Sequence, residues 1–233
     1  MKSTVDGTYC PICCSRFSVF KSFGVNKREN AQCETCGSLE RHRLLWLYLH
    51  AKTTLFNCIE SKKLLHFAPE KIFYQRFSEL QNVEYFPCDL NEDKFKGYKG
   101  KAVVCADMTE IPYVDNSFDF IICNHVLEHI PDDGLAMREL RRVLKSSGWA
   151  ILQVPIDYSL ETTYEDFSIN TPEGRAKAFG RYDHVRWYGR DYKSKLEDQG
   201  FKVVEDPFVK KFSKEELYKY GMFANEMVYF CQK

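Results

Sequence analysis

Leu64-Leu65-His66-Phe67-Ala68-Pro69-Glu70 is an apolar run cut off by Ala-Pro-Glu. It reads as a buried strand over 63–67 with a proline-marked stop, followed by a helix over 71–80. The same rhythm continues outward. Strands are expected over 83–88, ending in Asp89-Leu90-Asn91, and over 102–106, ending in Asp107-Met108. The stretch 118–123 is continuously apolar, as in a strand covered on both faces. A helix over 132–145, stopped by Ser146-Ser147-Gly148, leads to a strand over 149–154 broken by Pro155. A helix over 193–199 and strands over 201–204 and 226–232 complete the chain. Strands alternating with helices indicate a parallel sheet wrapped by helices.

In open α/β sheets, ligands bind beyond the carboxyl ends of the strands. Here four successive strands end in Ala68-Pro69-Glu70, Asp89, Asp107 and Asn124-His125. A carboxylate after the second strand can accept from both hydroxyls of a ribose, and one after the third can accept from the amino group of adenine. Singly, each acid reads equally well as a loop acid or helix cap. At successive strand ends they point to an adenosine pocket.

The chain has 233 residues, 33 basic against 33 acidic, which gives no global charge argument for a nucleic-acid partner. No apolar stretch approaches the roughly 18–20 residues of a membrane span, and MKSTVDGTYCP has no apolar signal core. A soluble, cytoplasmic protein is expected. In a reducing compartment its 10 cysteines suggest metal rather than disulfides. Cys10-Pro-Ile-Cys13 and Cys33-Glu-Thr-Cys36 form two CxxC pairs at zinc-site spacing. Two such knuckles close a four-sulfur shell with no open position, so the zinc is expected to be structural. Cys14 is a competing ligand, and His42 a possible substitute whose place in the apolar-periodic stretch 39–49 favours a helix, with the charged residues on its outer side. Cys88, Cys105 and Cys123, in apolar runs, read as buried hydrophobes. Arg16, Lys21, Lys27, Arg28, Arg41 and Arg43 make the cysteine region locally basic.

Two stretches carry a resemblance. One is Ala106-Asp107-Met108-Thr109-Glu110-Ile111-Pro112 with Asn116-Ser117-Phe118-Asp119-Phe120-Ile121-Ile122-Cys123-Asn124-His125-Val126-Leu127-Glu128-His129-Ile130. The other is Arg138-Glu139-Leu140-Arg141-Arg142-Val143-Leu144-Lys145 followed by a glycine and a strand. Both closely resemble class I S-adenosylmethionine-dependent methyltransferases. Within them, the chain is similar to a type 11-like bacterial group with an N-terminal cysteine knuckle and a Ser-Leu-Glu-Arg-His-Arg helix, here Ser38 to Arg43; the stretch 180–192 is also similar to that group.

The resemblance implies a Rossmann-like methyltransferase fold, α/β with a mostly parallel sheet and an antiparallel last strand, plus a small N-terminal zinc-ribbon-like element. Domains are expected at 1–50 (knuckle and connecting helix) and 51–233, with a substrate lid around 156–192. The implied cofactors are S-adenosylmethionine and zinc. Cofactor contacts would come from His66, Phe67, Ala68, Pro69, Glu70, Asp89, Leu90, Asp107, Met108, Asn124 and His125. His66 stands where the family commonly has an acid, and Ala68 and Glu70 where it has glycines. Pro69 also removes an N–H donor. The amino-acid end of the cofactor is therefore expected to be held differently, with Glu70 on its ammonium and the helix start at Lys71 on its carboxylate.

His184, in the Tyr/Phe/Asp/Glu/Arg-rich segment 156–192, is the leading general-base candidate, set against the stronger plain reading of it as a hydrogen-bonded structural histidine; His125 is second, and His129 reads as part of the helix following His125. The expected substrate is a small polar molecule or a sugar-containing (glycan-type) intermediate. The alternatives are an RNA methyltransferase using the basic knuckle, and a non-catalytic cofactor-binding adaptor.

Overall fold

The computed structural model describes residues 7–24 and 27–233. Residues 1–6, which belong to the stretch read for a signal and to the 1–50 domain, lie outside the described residues. The chain forms two compact units, Met1–Ile59 with Asp206–Val228, and Glu60–Glu205 with Tyr229–Lys233.

The first unit begins with hairpin β1 (Thr8–Tyr9) and β2 (Arg16–Phe17), then hairpin β3 (Lys21–Phe23) and β4 (Arg28–Gln32), and then helix α1 (Glu40–Lys52). The helix at 39–49 is present, but its charged residues do not all face outward. Arg43 is 0% exposed. Its guanidinium donates to the carbonyls of Ser38 (2.7 Å), Ala31 (2.8 Å), Gly221 (2.8 Å) and Tyr220, and lies 4.2 Å from the Phe20 ring centre. The unit's buried residues include Phe20, Leu44, Leu49 and Val209, and a guanidinium is tolerated among such apolar side chains because carbonyls satisfy its donors. His42 is buried, its Nδ1 accepting from Leu39 N at 3.0 Å, which closes the helix start.

The second unit is built on a sheet with order β12-β13-β9-β8-β5-β6-β7. Its strands are β5 (Lys62–Phe67), β6 (Val83–Asp89), β7 (Val104–Cys105), β8 (Phe118–Asn124), β9 (Leu144–Gln153), β12 (Lys202–Asp206) and β13 (Val228–Gln232). Pairings β5–β6, β5–β8, β6–β7 and β8–β9 are parallel, and β13 runs antiparallel to β9. This is the Rossmann-like methyltransferase arrangement the resemblance implied. All seven residues of β8 are buried, which is why its sequence does not alternate. Each buried Ile or Phe there contributes on the order of 1.5–3 kcal/mol.

Helix α2 (Lys71–Ser78) turns Ile72, Phe73 and Phe77 inward. Helix α3 (Asp133–Val143) buries Ala136, Met137, Leu140 and Val143, and Asp132 caps it by accepting from Leu135 N at 2.8 Å. One expectation about this region is corrected. The helix ends at Val143, and Ser146-Ser147-Gly148 lie inside β9; the register shift between Phe118 and Phe120 on the neighbouring strand accommodates them. His129 sits in a 3₁₀ turn, Leu127–His129, ahead of the helix proper. Cys105 is also exposed, unlike Cys88 and Cys123, because β7 is a two-residue edge strand with little to cover it.

The segment after β9 is folded. It contains β10 (Tyr164–Glu165), helix α4 (Pro172–Phe179) and β11 (Arg186–Trp187), with β10 and β11 paired antiparallel, and helix α5 (Tyr192–Asp198) follows. Thr171 caps α4 by accepting from Gly174 N. No helix among the described residues is long and apolar enough to cross a membrane.

Candidate functional site

Strand order reverses at β5 and β8: β6 and β7 follow on one side, β9 on the other. Phe67 is opposite Cys123 in the register, so the Ala68 and Asn124 turns leave the sheet side by side. There the structure forms a cavity of about 330 Å³. Its walls include Ala68, Asp89, Asp107, Met108, His125 and His129.

Of the sequence-named cofactor residues, Phe67, Ala68, Asp89, Leu90, Asp107, Met108 and His125 line this cavity. His66, Pro69, Glu70 and Asn124 stand beside it, outside its lining. Asp89 Oδ1 accepts from Asn91 N (2.8 Å), and Asp107 Oδ1 accepts from Thr109 N (2.8 Å) and Thr109 Oγ1 (2.7 Å). These bonds fix each carboxylate through one oxygen and leave Oδ2 to accept from a ligand. Paired acceptors at adjacent strand ends fit the hydroxyls and amino group of an adenosine.

Ala68 has φ +48°. This is the left-handed region where glycine sits without penalty, so the turn keeps the backbone shape of a glycine turn while lacking the glycine. Beyond it, Glu70 is held by its neighbours. His66 Nε2 lies 3.1 Å from Glu70 Oε2, and Asn124 Nδ2 donates to Oε1 at 3.2 Å. His66 Nδ1 meets the Tyr85 hydroxyl at 2.9 Å. A chain Tyr85–His66–Glu70–Asn124 thus ties β6, β5 and β8 together just under the cavity.

His125 has φ +55°, held by its N–H on Gln153 O at 2.7 Å. His184 is 5% exposed and lies behind the wall: its ring packs edge-on to His129 at 4.8 Å, and its Nδ1 donates to Phe179 O at 3.1 Å. Burial pushes its pKa below that of an ordinary imidazole. Lys94, Ala106, Val126, His129, Ile130 and Asp183 line the cavity but were not among the cofactor or base candidates read from the sequence. For His129 the signal was its position four residues after His125, which brings both back to one side of a short turn.

In the first unit Cys10, Cys13, Cys33 and Cys36 converge. Cys10 Sγ is 3.6 Å from Cys36 Sγ, and Cys13 Sγ is 3.6 Å from Cys33 Sγ. A tetrahedron of about 2.3 Å zinc–sulfur bonds has edges of roughly 3.8 Å, so the cluster fits that ion. Both knuckles use one turn: Cys14 N donates to Cys10 O (2.8 Å) and Gly37 N to Cys33 O (2.9 Å). The residue after each second cysteine is left-handed, Cys14 at φ +61° and Gly37 at +73°. Cys14 is therefore a turn residue, outside the cluster and exposed. The hydrogen bond with Cys36 pulls the Cys10 thiol down to about 4, toward the thiolate that binds metal, and raises that of Cys36.

Residues 68–152 match the family described as "Methyltransferase domain". A demethylmenaquinone methyltransferase of Staphylococcus carnosus is 36% identical over 62 residues, covering 27% of this chain and 26% of that protein. Matched stretches span 26–37% of the lengths of the first curated relatives. The solved structure of the [4+2]-cyclase SpnF superposes with TM-score 0.56 at 15% identity, covering 96% of this chain and 91% of that one. The 1,6-didemethyltoxoflavin-N1-methyltransferase of Burkholderia thailandensis, solved with S-adenosylhomocysteine, gives TM-score 0.52 at 15% identity, covering 83% and 77%. At such identities the two structures speak for the fold. The family match lies across the strand ends that build the cavity, so it is over residues 68–152 that the chain is similar to the methyltransferase domain family.

Proposed function

We propose that this chain is an S-adenosylmethionine-dependent methyltransferase acting on a small polar molecule or a sugar-containing intermediate. The observation that carries the reading is the placement of Asp89 and Asp107 on adjacent parallel strand ends, facing one cavity with the left-handed Ala68 turn and His125. The cofactor supplies an activated methyl group on a sulfonium. Asp89 is assigned to the ribose hydroxyls and Asp107 to the adenine amino group, with Leu90 and Met108 beside the ring. Glu70, held by His66 and Asn124, is assigned to the ammonium end. Methyl transfer gains chiefly from alignment and exclusion of water. His125, on the cavity wall, accepts a proton from the acceptor where one must leave; His184, behind His129, supports that side of the site. Residues 156–192 are assigned to substrate recognition, the unit of Met1–Ile59 with Asp206–Val228 to a zinc-held element, and the unit of Glu60–Glu205 with Tyr229–Lys233 to the transferase body. The four-cysteine cluster is assigned to structural zinc.

Support for the RNA-methylating alternative is thinner. Within the knuckle Arg43 is buried, Arg28 pairs with Glu40 at 2.9 Å and Lys21 with Glu34 at 3.2 Å, which removes much of the basic face. The decisive experiment is calorimetric titration with S-adenosylhomocysteine on the parent, Asp89→Ala and Asp107→Ala, followed by transfer of labelled methyl to metabolite and RNA fractions. Binding weakened by roughly 1–3 kcal/mol in each variant supports the pocket assignment. Unchanged affinity in both variants would sink it, and binding without any transfer would favour the adaptor.

A further inference from the structure

Glu128, His129 and His184 bring three ligand atoms within 4.8 Å of one another. The hydrogen bonds around them decide what kind of ligand they want. His129 Nδ1 lies 3.0 Å from Asp183 O, and His184 Nδ1 lies 3.1 Å from Phe179 O. A backbone carbonyl only accepts, so both Nδ1 atoms donate, and in the neutral imidazoles both Nε2 atoms keep a lone pair to offer a ligand. Glu128 is 1% exposed, and its Oε2 makes no hydrogen bond among the described residues. Its Oε1 lies 4.0 Å from His129 Nε2 and 3.6 Å from His125 Nδ1. Three groups able to offer an electron pair therefore converge, with one carboxylate oxygen buried and without a hydrogen bond among the described residues. A shared proton would bridge two of them; a cation can satisfy all three.

The surroundings are fixed as a metal site requires. Val185 N donates to Glu128 O at 2.9 Å. Arg186, 1% exposed, donates to the carbonyls of Leu127 (3.0 Å), Ile130 and Pro131 (2.8 Å). These bonds clamp the segment from Val185 to Arg186, next to His184, onto the Leu127–His129 turn, and the carbonyl partners of the two imidazoles fix which ring nitrogen donates. His129 and His125 are also cavity walls, so an ion here would border the ligand space.

We propose that Glu128, His129 and His184 bind a divalent first-row transition-metal cation of the zinc or ferrous kind, with an open coordination position toward the cavity. Two imidazoles and one carboxylate are a donor set for such ions, and tetrahedral bonds of about 2.0–2.2 Å place ligand atoms roughly 3.3–3.6 Å apart, a closure of about an ångström from the present spacing. The open position fits an acceptor with a hydroxyl group, which the cation would coordinate next to the methyl donor. This role rests on the methyltransferase reading; the metal binding itself does not.

The test uses the full chain, stripped with chelator, dialysed against Zn²⁺ and counted by elemental analysis. Glu128→Gln, His129→Asn and His184→Asn should each hold one zinc fewer than the parent, while Cys33→Ser loses a different equivalent and retains this one. Circular dichroism identifies any variant that fails to fold, and the remaining ones decide. Equal zinc in the parent and in all folded variants overturns the proposal. Calorimetry with S-adenosylhomocysteine on the same samples separates the two readings. Zinc at Glu128 without cofactor binding keeps the metal site and removes the methyltransferase; cofactor binding without that zinc does the reverse.

Discussion

His66 Nε2 lies 3.1 Å from Glu70 Oε2 across the Ala68-Pro69 bend, and Asn124 holds the other carboxylate oxygen at 3.2 Å. The acid at the end of this turn is thus positioned by the two strands on either side of the switch in strand order. Gln can keep both bonds, its carbonyl accepting from Asn124 and its amide donating to His66 once the imidazole proton sits on the Tyr85 side. Glu70→Gln should leave thermal stability nearly unchanged but weaken S-adenosylhomocysteine by about tenfold, or about 1.4 kcal/mol. Methylthioadenosine, which lacks the amino-acid end, should bind both proteins alike. Equal loss for both ligands would remove Glu70 from the ammonium contact.

The same turn makes a second prediction through Ala68 at φ +48°. A non-glycine residue there costs roughly 1–2 kcal/mol, and glycine would relieve it while adding about 0.4–1 kcal/mol of unfolded-state entropy. Ala68→Gly should therefore be neutral to slightly stabilising in denaturant unfolding, with cofactor affinity unchanged because the backbone already has the glycine shape. Ala68→Val should cost more than about 2 kcal/mol, since a β-branched residue at positive φ is a stronger outlier. A stable Val variant would mean that this turn relaxes.

Much of this was legible because the signals are local. Periodicity and the residues at strand ends placed Asp89, Asp107 and His125 on the cavity, and spacing alone assembled four cysteines. What was not legible depends on tertiary partners. Nothing in 206–228 says that it packs with the cysteine unit, and nothing in Arg43 says that it will be buried. The two facts are one, since carbonyls at Tyr220 and Gly221 receive that guanidinium. Ser146-Ser147-Gly148 has turn composition, yet the irregular pairing beside Phe118 draws it into β9.

Arg43 gives the third prediction. Arg43→Met keeps much of the volume but strands the carbonyls of Ala31, Ser38 and Gly221, each costing about 1–3 kcal/mol when buried and unmet. The first unit should unfold at markedly lower temperature, and Arg43→Lys should rescue little, because a point charge cannot span the same set of acceptors. Hydrogen exchange in 7–59 and 206–228 reads this directly; unchanged protection would contradict it.

The cysteine cluster gives the fourth. Cys33→Ser should release one zinc and lower the stability of the first unit, because metal binding contributes directly to the folding free energy of the segment it ties together. Cys14→Ser should leave the zinc content unchanged, since Cys14 only turns the chain. Zinc loss on Cys14→Ser would move the ligand register by one residue.

Asp119 lies at the opposite end of β8 from the cavity and anchors the sheet. Its Oδ2 accepts from Lys63 N at 2.9 Å and Lys145 Nζ at 2.7 Å, and Lys62 Nζ is 3.7 Å from Oδ1. Burial pushes its pKa up, but the bonds from Lys145 and the Lys63 N–H, with the charges of Lys145 and Lys62, hold it below the ordinary carboxylate value. A carboxylate depressed in the folded state binds its proton more readily when unfolded. Its contribution is therefore complete above the unfolded pKa of about 3.9 and is lost as pH falls through the lower folded value. Asp119→Asn should cost on the order of 1–3 kcal/mol at neutral pH, the scale of hydrogen bonds to a charged group. The gap between Asn variant and parent should narrow as the pH is taken below about 4, because the parent then loses the same charge. Denaturant unfolding of both proteins across that range measures it, and a gap that stays constant into acid would show that Asp119 acts through shape alone.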